Sequence, residues 1–151
     1  MKFTPRKINW FVLAKIPSAY LSGVRVNRIQ ENKVDVSVKF RWINQNPFKS
    51  MYWATQGMAS ELATGVLMMQ KLSVSKERIG MLVTGQKGVF VKKAVGRIFF
   101  SCENEGQIEN TIAKAIATGE GQKITLESSG VDEAGEIVST FEYEWSIKLI
   151  K

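Results

Sequence analysis

A chain of 151 residues, 44% hydrophobic and 23% charged, can bury the core of one folded domain and lacks the bias of a disordered or fibrous chain. It has no histidine, which excludes Ser-His-Asp and Cys-His catalysis and histidine-ligated metals; its one cysteine excludes an internal disulfide and multi-cysteine metal centres. The net charge of +7 suits a phosphate ligand, an anionic membrane surface or nucleic acid, but the basic residues are dispersed without an Arg-rich tract or an aromatic RNA-binding signature, so nucleic acid is not an expected partner.

The first predicted element is a helix from Arg6 to about Leu21, within a segment 1–22 that caps the domain. Basic residues ahead of Ile8–Ala14 give it some likeness to an export signal. The apolar run is short, though, with Asn9 inside it and Lys15 at its end, so an amphipathic capping helix is expected. An export signal or a membrane-surface anchor is the alternative.

GVRVNRIQE and KVDVSVKFRW follow as paired strands turning at Glu31-Asn32. Val34, Val36, Val38, Phe40 and Trp42 alternate with polar residues, which places all five on one sheet face. After Asn-Pro-Phe-Lys-Ser, with Ser50 as N-cap, a central helix is predicted over 51–70. GMLVTGQKGVFVKKAVGRIFFSCE reads as two strands with a kink near Gly96, and Cys102 within it as a packing residue rather than a nucleophile. In GQIENTIAKAIATG, Ile108, Ile112 and Ile116 recur every four residues, a third helix over 106–118 that Gly119 stops. QKITLESSGVD and FEYEWSIKL close the chain as a hairpin through Glu133-Ala134-Gly135, with Phe141, Tyr143, Trp145, Ile147 and Leu149 inward. The order α-β-β-α-β-β-α-β-β with antiparallel pairing defines an α+β domain spanning 1–151.

Within Met51–Met69 the only charged side chain is Glu61. The run also carries Gln56, Ser60 and two glycines, so it does not read as a transmembrane span. A helix apolar nearly all round is normally buried. Each interior glycine costs about 0.5–1 kcal/mol against alanine, so Gly57 and Gly65, neighbours of Glu61 on one face, point to close approach by a second backbone or a ligand. An isolated buried carboxylate is expensive. Glu61 therefore reaches solvent or a basic partner, lines a cleft and does chemistry, or stays protonated or bonded to a partner helix; periodicity does not separate these.

Asn46, a turn, and a helix containing ASELATG resemble the central segment of hotdog-fold acyl-CoA thioesterases, which often carry an asparagine, His-Gly-Gly, then an acid on the helix. By position Tyr52 takes the place of the histidine and Trp53-Ala54 that of the glycines. Phe90, Lys92 or Lys93, Ala94 and Gly96 are similar to the family's next strand. Arg41 and Trp42 before the asparagine, the leading helix and the inserted helix resemble most a branch of that superfamily known only as a domain of unknown function.

The resemblance implies a curved antiparallel sheet wrapped around the central helix, a homodimer with further association to a tetramer left open, and an acyl-CoA or related thioester as substrate. Coenzyme A enters only as part of that substrate, with no separate cofactor or metal. It implies Glu61 as general base or nucleophile, backbone amides near Trp53 and Ala54 as oxyanion donors, and Asn46 as either a water-orienting or a turn-shaping residue. Tyr52 and Met58 would line the substrate site, and Lys92, Lys93 and Arg97 would meet coenzyme A phosphates. Trp53 and Ala54 lie about 10–12 Å from Glu61 along a helix, so one carbonyl reaches both only if they come from different subunits. The alternatives are a non-catalytic dimer holding an apolar ligand, and a surface-binding protein using the helix around Trp10-Phe11. A lone thiol fits a reducing, cytoplasmic setting.

Overall fold

Proline divides the N-terminal helix that the sequence predicts as one. The computed structural model describes residues 2–151, so Met1 of the predicted capping segment lies outside the described residues. Helix α1 spans Pro5–Lys15 and α2 spans Pro17–Leu21; Ile16 between them leaves the helical region at φ −133°, ψ 58°. Pro17 has no N–H to continue the ladder and disfavours helical geometry in the residue before it. Ile8 and Val12 face the interior, and Asn9 exchanges two hydrogen bonds with the Val26 backbone, at 2.9 and 2.8 Å.

Six strands follow: β1 Arg25–Ile29, β2 Lys33–Lys39, β3 Ile79–Phe90, β4 Arg97–Glu103, β5 Gln122–Val131 and β6 Ile137–Leu149. They form one curved antiparallel sheet in the order β1-β2-β4-β5-β6-β3. The central helix α3, Trp53–Leu72, packs across β2, β4, β5 and β6, and α4, Gln107–Thr118, leans on β5, β6 and α3. This is the hotdog arrangement expected from the resemblance.

The alternation read from the sequence holds within the strands. Val34, Val36 and Val38 on β2, Ile98, Phe100 and Cys102 on β4, and Phe141, Tyr143, Trp145 and Ile147 on β6 are buried in one core with Ala59, Ala63, Val66 and Leu67 of α3. Burying each large apolar side chain contributes about 1.5–3 kcal/mol. Cys102 is fully buried, and burial pushes its thiol up to about 12, so it is a packing residue without thiolate character.

Trp42 departs from the expected inward set. The strand ends at Lys39, a short 3-10 helix covers Trp42–Asn44, and the indole is 82% exposed. Buried Asn44 makes the bend: its Nδ2 donates to the carbonyls of Ser22 and Lys39, and its Oδ1 accepts from the Arg41 N–H. The central helix begins at Trp53, with Tyr52 and not Ser50 at its N-cap. Strands β3 and β4 lie on different parts of the sheet, separated by the kink at Gly96, φ +71°. Ile116 is 42% exposed and lines a surface cleft with Ile112 and Val74.

The two helix glycines face the protein's own aromatic residues at ordinary van der Waals distance. The Tyr143 hydroxyl lies 3.8 Å from where a Gly57 Cβ would stand, and the Trp145 ring lies 3.4 Å from that of Gly65. Tyr143 donates to the Gly57 carbonyl at 2.9 Å, and Trp145 Nε1 donates to Thr64 Oγ1 at 3.0 Å. Among the described residues, no helix is long and apolar enough to cross a membrane.

Candidate active site

The loop ahead of α3 is organised by Asn46. Its Oδ1 accepts from the Phe48 and Ser50 N–H groups at 2.9 and 3.2 Å, and its Nδ2 donates to Ser50 Oγ at 2.9 Å. The carboxamide of Asn46 thus shapes the turn. Met51 N–H then donates to the Ala94 carbonyl and Tyr52 N–H to that of Asn44, each at 2.8 Å, so the helix starts from a pinned point. The N–H groups of Trp53 and Ala54 meet no acceptor among the described residues. They project from the positive end of a 20-residue helix dipole, an arrangement suited to an anionic oxygen.

Glu61 sits two turns further along. Its carboxylate has no hydrogen bond or ion pair among the described residues, and burial alone raises its carboxyl above the ordinary glutamate range. The side chain is half-buried and leans along the helix, with Oε1 3.5 Å from where a Gly65 Cβ would be. It lines a pocket of about 320 Å³ with Trp53, Ala54, Gly57, Met58, Gln86 and Tyr143. A carboxylate facing a cleft without a cation is poised to take a proton.

Gln86 and Tyr143 join this site, Tyr143 having read from the sequence only as an inward-facing strand residue and Gln86 not at all. Gln86 is aimed by a β-bulge between Val83 and Gly85, which shifts the alternation of β3 so that Gln86 pairs with inward-facing Tyr143. Burial, and then the nearby Glu61 charge, push the Tyr143 hydroxyl up to about 12 against the opposing Ser60 hydrogen bond. It remains a neutral phenol.

A second cleft, of about 530 Å³, lies on the other side of Trp53. The 46–53 loop, Gln56 and the Phe90–Ala94 connection line it. Tyr52 and Trp53, half-exposed, meet edge to face with ring centres 6.0 Å apart. The three proposed phosphate contacts differ in their surroundings. Lys92 Nζ is held between Asp132 at 2.8 Å and Glu136 at 2.6 Å. Lys93 lines the cleft and reaches only the Phe48 carbonyl, at 3.3 Å. Arg97 stands on β4, where its backbone N–H donates to Glu133 at 2.8 Å. Asn46, Tyr52, Trp53, Lys92 and Lys93 thus share the larger cleft, while Trp53, Ala54, Met58 and Glu61 share the smaller one; Arg97 lines neither.

The family described as a domain of unknown function, DUF4442, matches residues 4–147. No protein of curated function matches the chain. Among solved structures, a Pseudomonas aeruginosa protein of unknown function described as a probable thioesterase is 22% identical, with a TM-score of 0.84 over 97% of either chain. A Chlorobaculum tepidum protein of unknown function is 15% identical, with a TM-score of 0.81 over 95% of this chain and 93% of its own. A thioesterase from Haemophilus influenzae is 10% identical, with a TM-score of 0.76 over 100% of this chain and 95% of its own. At these identities the likeness is one of fold, and the fold is the hotdog.

Proposed function

The chain belongs to the DUF4442 family, and from that footing we propose that it hydrolyses an acyl thioester, such as an acyl-CoA, in a cleft shared by two copies of itself. The observation that carries this reading is Glu61: the one acid of the central helix, unpaired, half-buried and open to a pocket beside the sheet edge. The thioesterase descriptions of two fold relatives favour the same chemistry.

In the proposed reaction Glu61 takes a proton from water as the water oxygen attacks the thioester carbonyl carbon. The N–H groups of Trp53 and Ala54 from the partner's helix stabilise the resulting oxyanion. The tetrahedral intermediate collapses with cleavage of the C–S bond, and the proton held by Glu61 passes to the departing thiolate. A carboxylic acid and a thiol are the products. Direct attack by Glu61, giving a mixed anhydride that water then opens, uses the same pocket.

The need for two copies follows from the helix itself, since the amides and the acid stand about 10–12 Å apart along it. Strand β3 supports a partner's approach. It is a 12-residue edge paired only with β6, carries exposed Leu82 and Val89, and supplies Gln86 to the Glu61 pocket. A long unpaired apolar edge is a template for a second strand. Lys93 is the best placed cation for a coenzyme A phosphate, with Arg97 further along the surface; Lys92 serves only by exchanging its two carboxylates. A reducing cytoplasm suits the unpaired thiol.

Trp53 favours a second reading. Its half-exposed ring stands at the helix start where the related pattern has a glycine, in the path of a ligand toward the first amides. The same dimer would then hold an apolar acyl ligand without turning it over. Thiol release from acyl-CoA esters of short, long and aromatic chains tests both readings. Turnover supports the first, whereas none across the series, together with a lipid retained in native mass spectrometry, supports the second.

A further inference from the structure

At the opposite edge of the sheet from β3, helix α1 covers β1 and turns a very different surface outward. The first thirty residues hold six basic side chains (Lys2, Arg6, Lys7, Lys15, Arg25 and Arg28) and no acid. Of these only Arg28 forms an ion pair among the described residues, with Asp35 at 3.9 Å. The core-facing stripe of α1, Ile8 and Val12, is satisfied by the domain. On the other side Arg6, Trp10 and Ala14 follow one another at four-residue spacing with Lys7 and Phe11 beside them, and all five are exposed. Trp10 is 64% exposed, and Leu21 at the end of α2 is 63% exposed. Asn9 ties this helix rigidly to β1 through its paired bonds to Val26.

Beside Trp10 lies a cleft of about 280 Å³ lined by Arg6, Asn9, Trp10, Tyr20 and Arg25. Arg25 is preset within it: its guanidinium donates to the Tyr20 and Val24 carbonyls at 2.7 and 2.8 Å and lies 3.5 Å over the Tyr20 ring. Two guanidiniums without a carboxylate partner flank an indole that has no apolar cover.

We infer that the α1–α2 face docks on an anionic lipid bilayer, with Trp10, Phe11 and Leu21 at the headgroup level and Arg6 and Arg25 around a lipid phosphate. The complementarity is twofold. Cations without acids match the negative surface potential, and an indole prefers the interface, where one end of the ring is wet and the other apolar. A nucleic acid duplex would use the cations and leave Trp10 and Leu21 in water. This face is remote from the Glu61 pocket, so the inference does not rest on the thioesterase reading.

The test is cosedimentation of the full chain with vesicles of phosphatidylcholine alone or mixed with phosphatidylglycerol, at low and high salt. Binding to the mixed vesicles that falls with salt is expected. Arg6→Gln with Lys7→Gln should weaken it by roughly fivefold per cation removed. Trp10→Ser should weaken it further without removing charge, and both variants should melt with the parent because the altered side chains are exposed. Equal binding to the two vesicle types, no binding to either, or binding indifferent to these substitutions would overturn the inference. So would tighter association with a short DNA or RNA duplex that survives Trp10→Ser.

Discussion

The Tyr143 hydroxyl lies 2.7 Å from Ser60 Oγ, which fastens strand β6 to the central helix one residue before Glu61. With Tyr143 donating to the Gly57 carbonyl at 2.9 Å, the single Ser60 proton serves either the Tyr143 oxygen or that same carbonyl, 3.0 Å away. The pocket floor is therefore held by polar bonds inside an otherwise apolar helix–sheet contact.

Tyr143→Phe removes one partner from this cluster while keeping the ring stack with Phe141. Ser60 keeps the Gly57 carbonyl as an acceptor, so the cost is that of one hydrogen bond, about 1 kcal/mol. Thermal denaturation should record a fall of roughly 2–4 °C for a chain of this size.

Gly57 offers a trade between stability and the pocket. An alanine Cβ there meets nothing nearer than 3.8 Å, an ordinary contact, so the helix gains about 0.5–1 kcal/mol. The same methyl projects into the pocket that Glu61 lines. Gly57→Ala is expected to melt higher and to turn over or retain acyl ligands several-fold less well, as paired melting and binding measurements would record.

Glu61 ties stability to pH. Burial raises its folded-state pKa above the unfolded value, so the native state holds the extra proton between the two. Stability from this group is then present at low pH and declines as pH rises through that window. Glu61→Gln should melt above the parent at neutral pH, with the gap closing as pH falls below the ordinary glutamate range. A melting series in pH decides it; a gap that widens toward acid would contradict the assignment.

Strand β3 sets the expected assembly. Each chain weighs 17.0 kDa, and sedimentation should give a particle of twice that mass. Leu82→Glu with Val89→Glu places like charges along the proposed shared edge at positions already exposed in the protomer. Dissociation should rise about tenfold or more, with the protomer still folded. An unchanged dimer would move the interface elsewhere.

How far the sequence reaches depends on whether a feature is periodic. The valines of β2 and the aromatics of β6 declare their face by alternation, and the isolation of Glu61 is visible in the run around it. Trp42 continues the β2 rhythm on paper, yet the side-chain bonds of Asn44 bend the chain off the sheet first. Gln86 is hidden for the opposite reason: a bulge reverses its parity. Glycines at 57 and 65 read as marks of a close approach, whereas in the fold Tyr143 and Trp145 face them at ordinary contact distance and Gly57 lines the pocket. That Glu61 lacks a cation among the described residues is a property of two strands and a helix together, which spacing along one segment does not encode.

The decisive measurement is steady-state thiol release by the parent and by Glu61→Gln, using the best substrate of an acyl-CoA series. The parent should turn over, and the variant, folded and dimeric, should lose about a hundredfold or more of kcat. An amide there keeps the shape of the side chain and removes its ability to accept a proton. Undiminished kcat in the variant would place the chemistry on another group and leave Glu61 a lining residue.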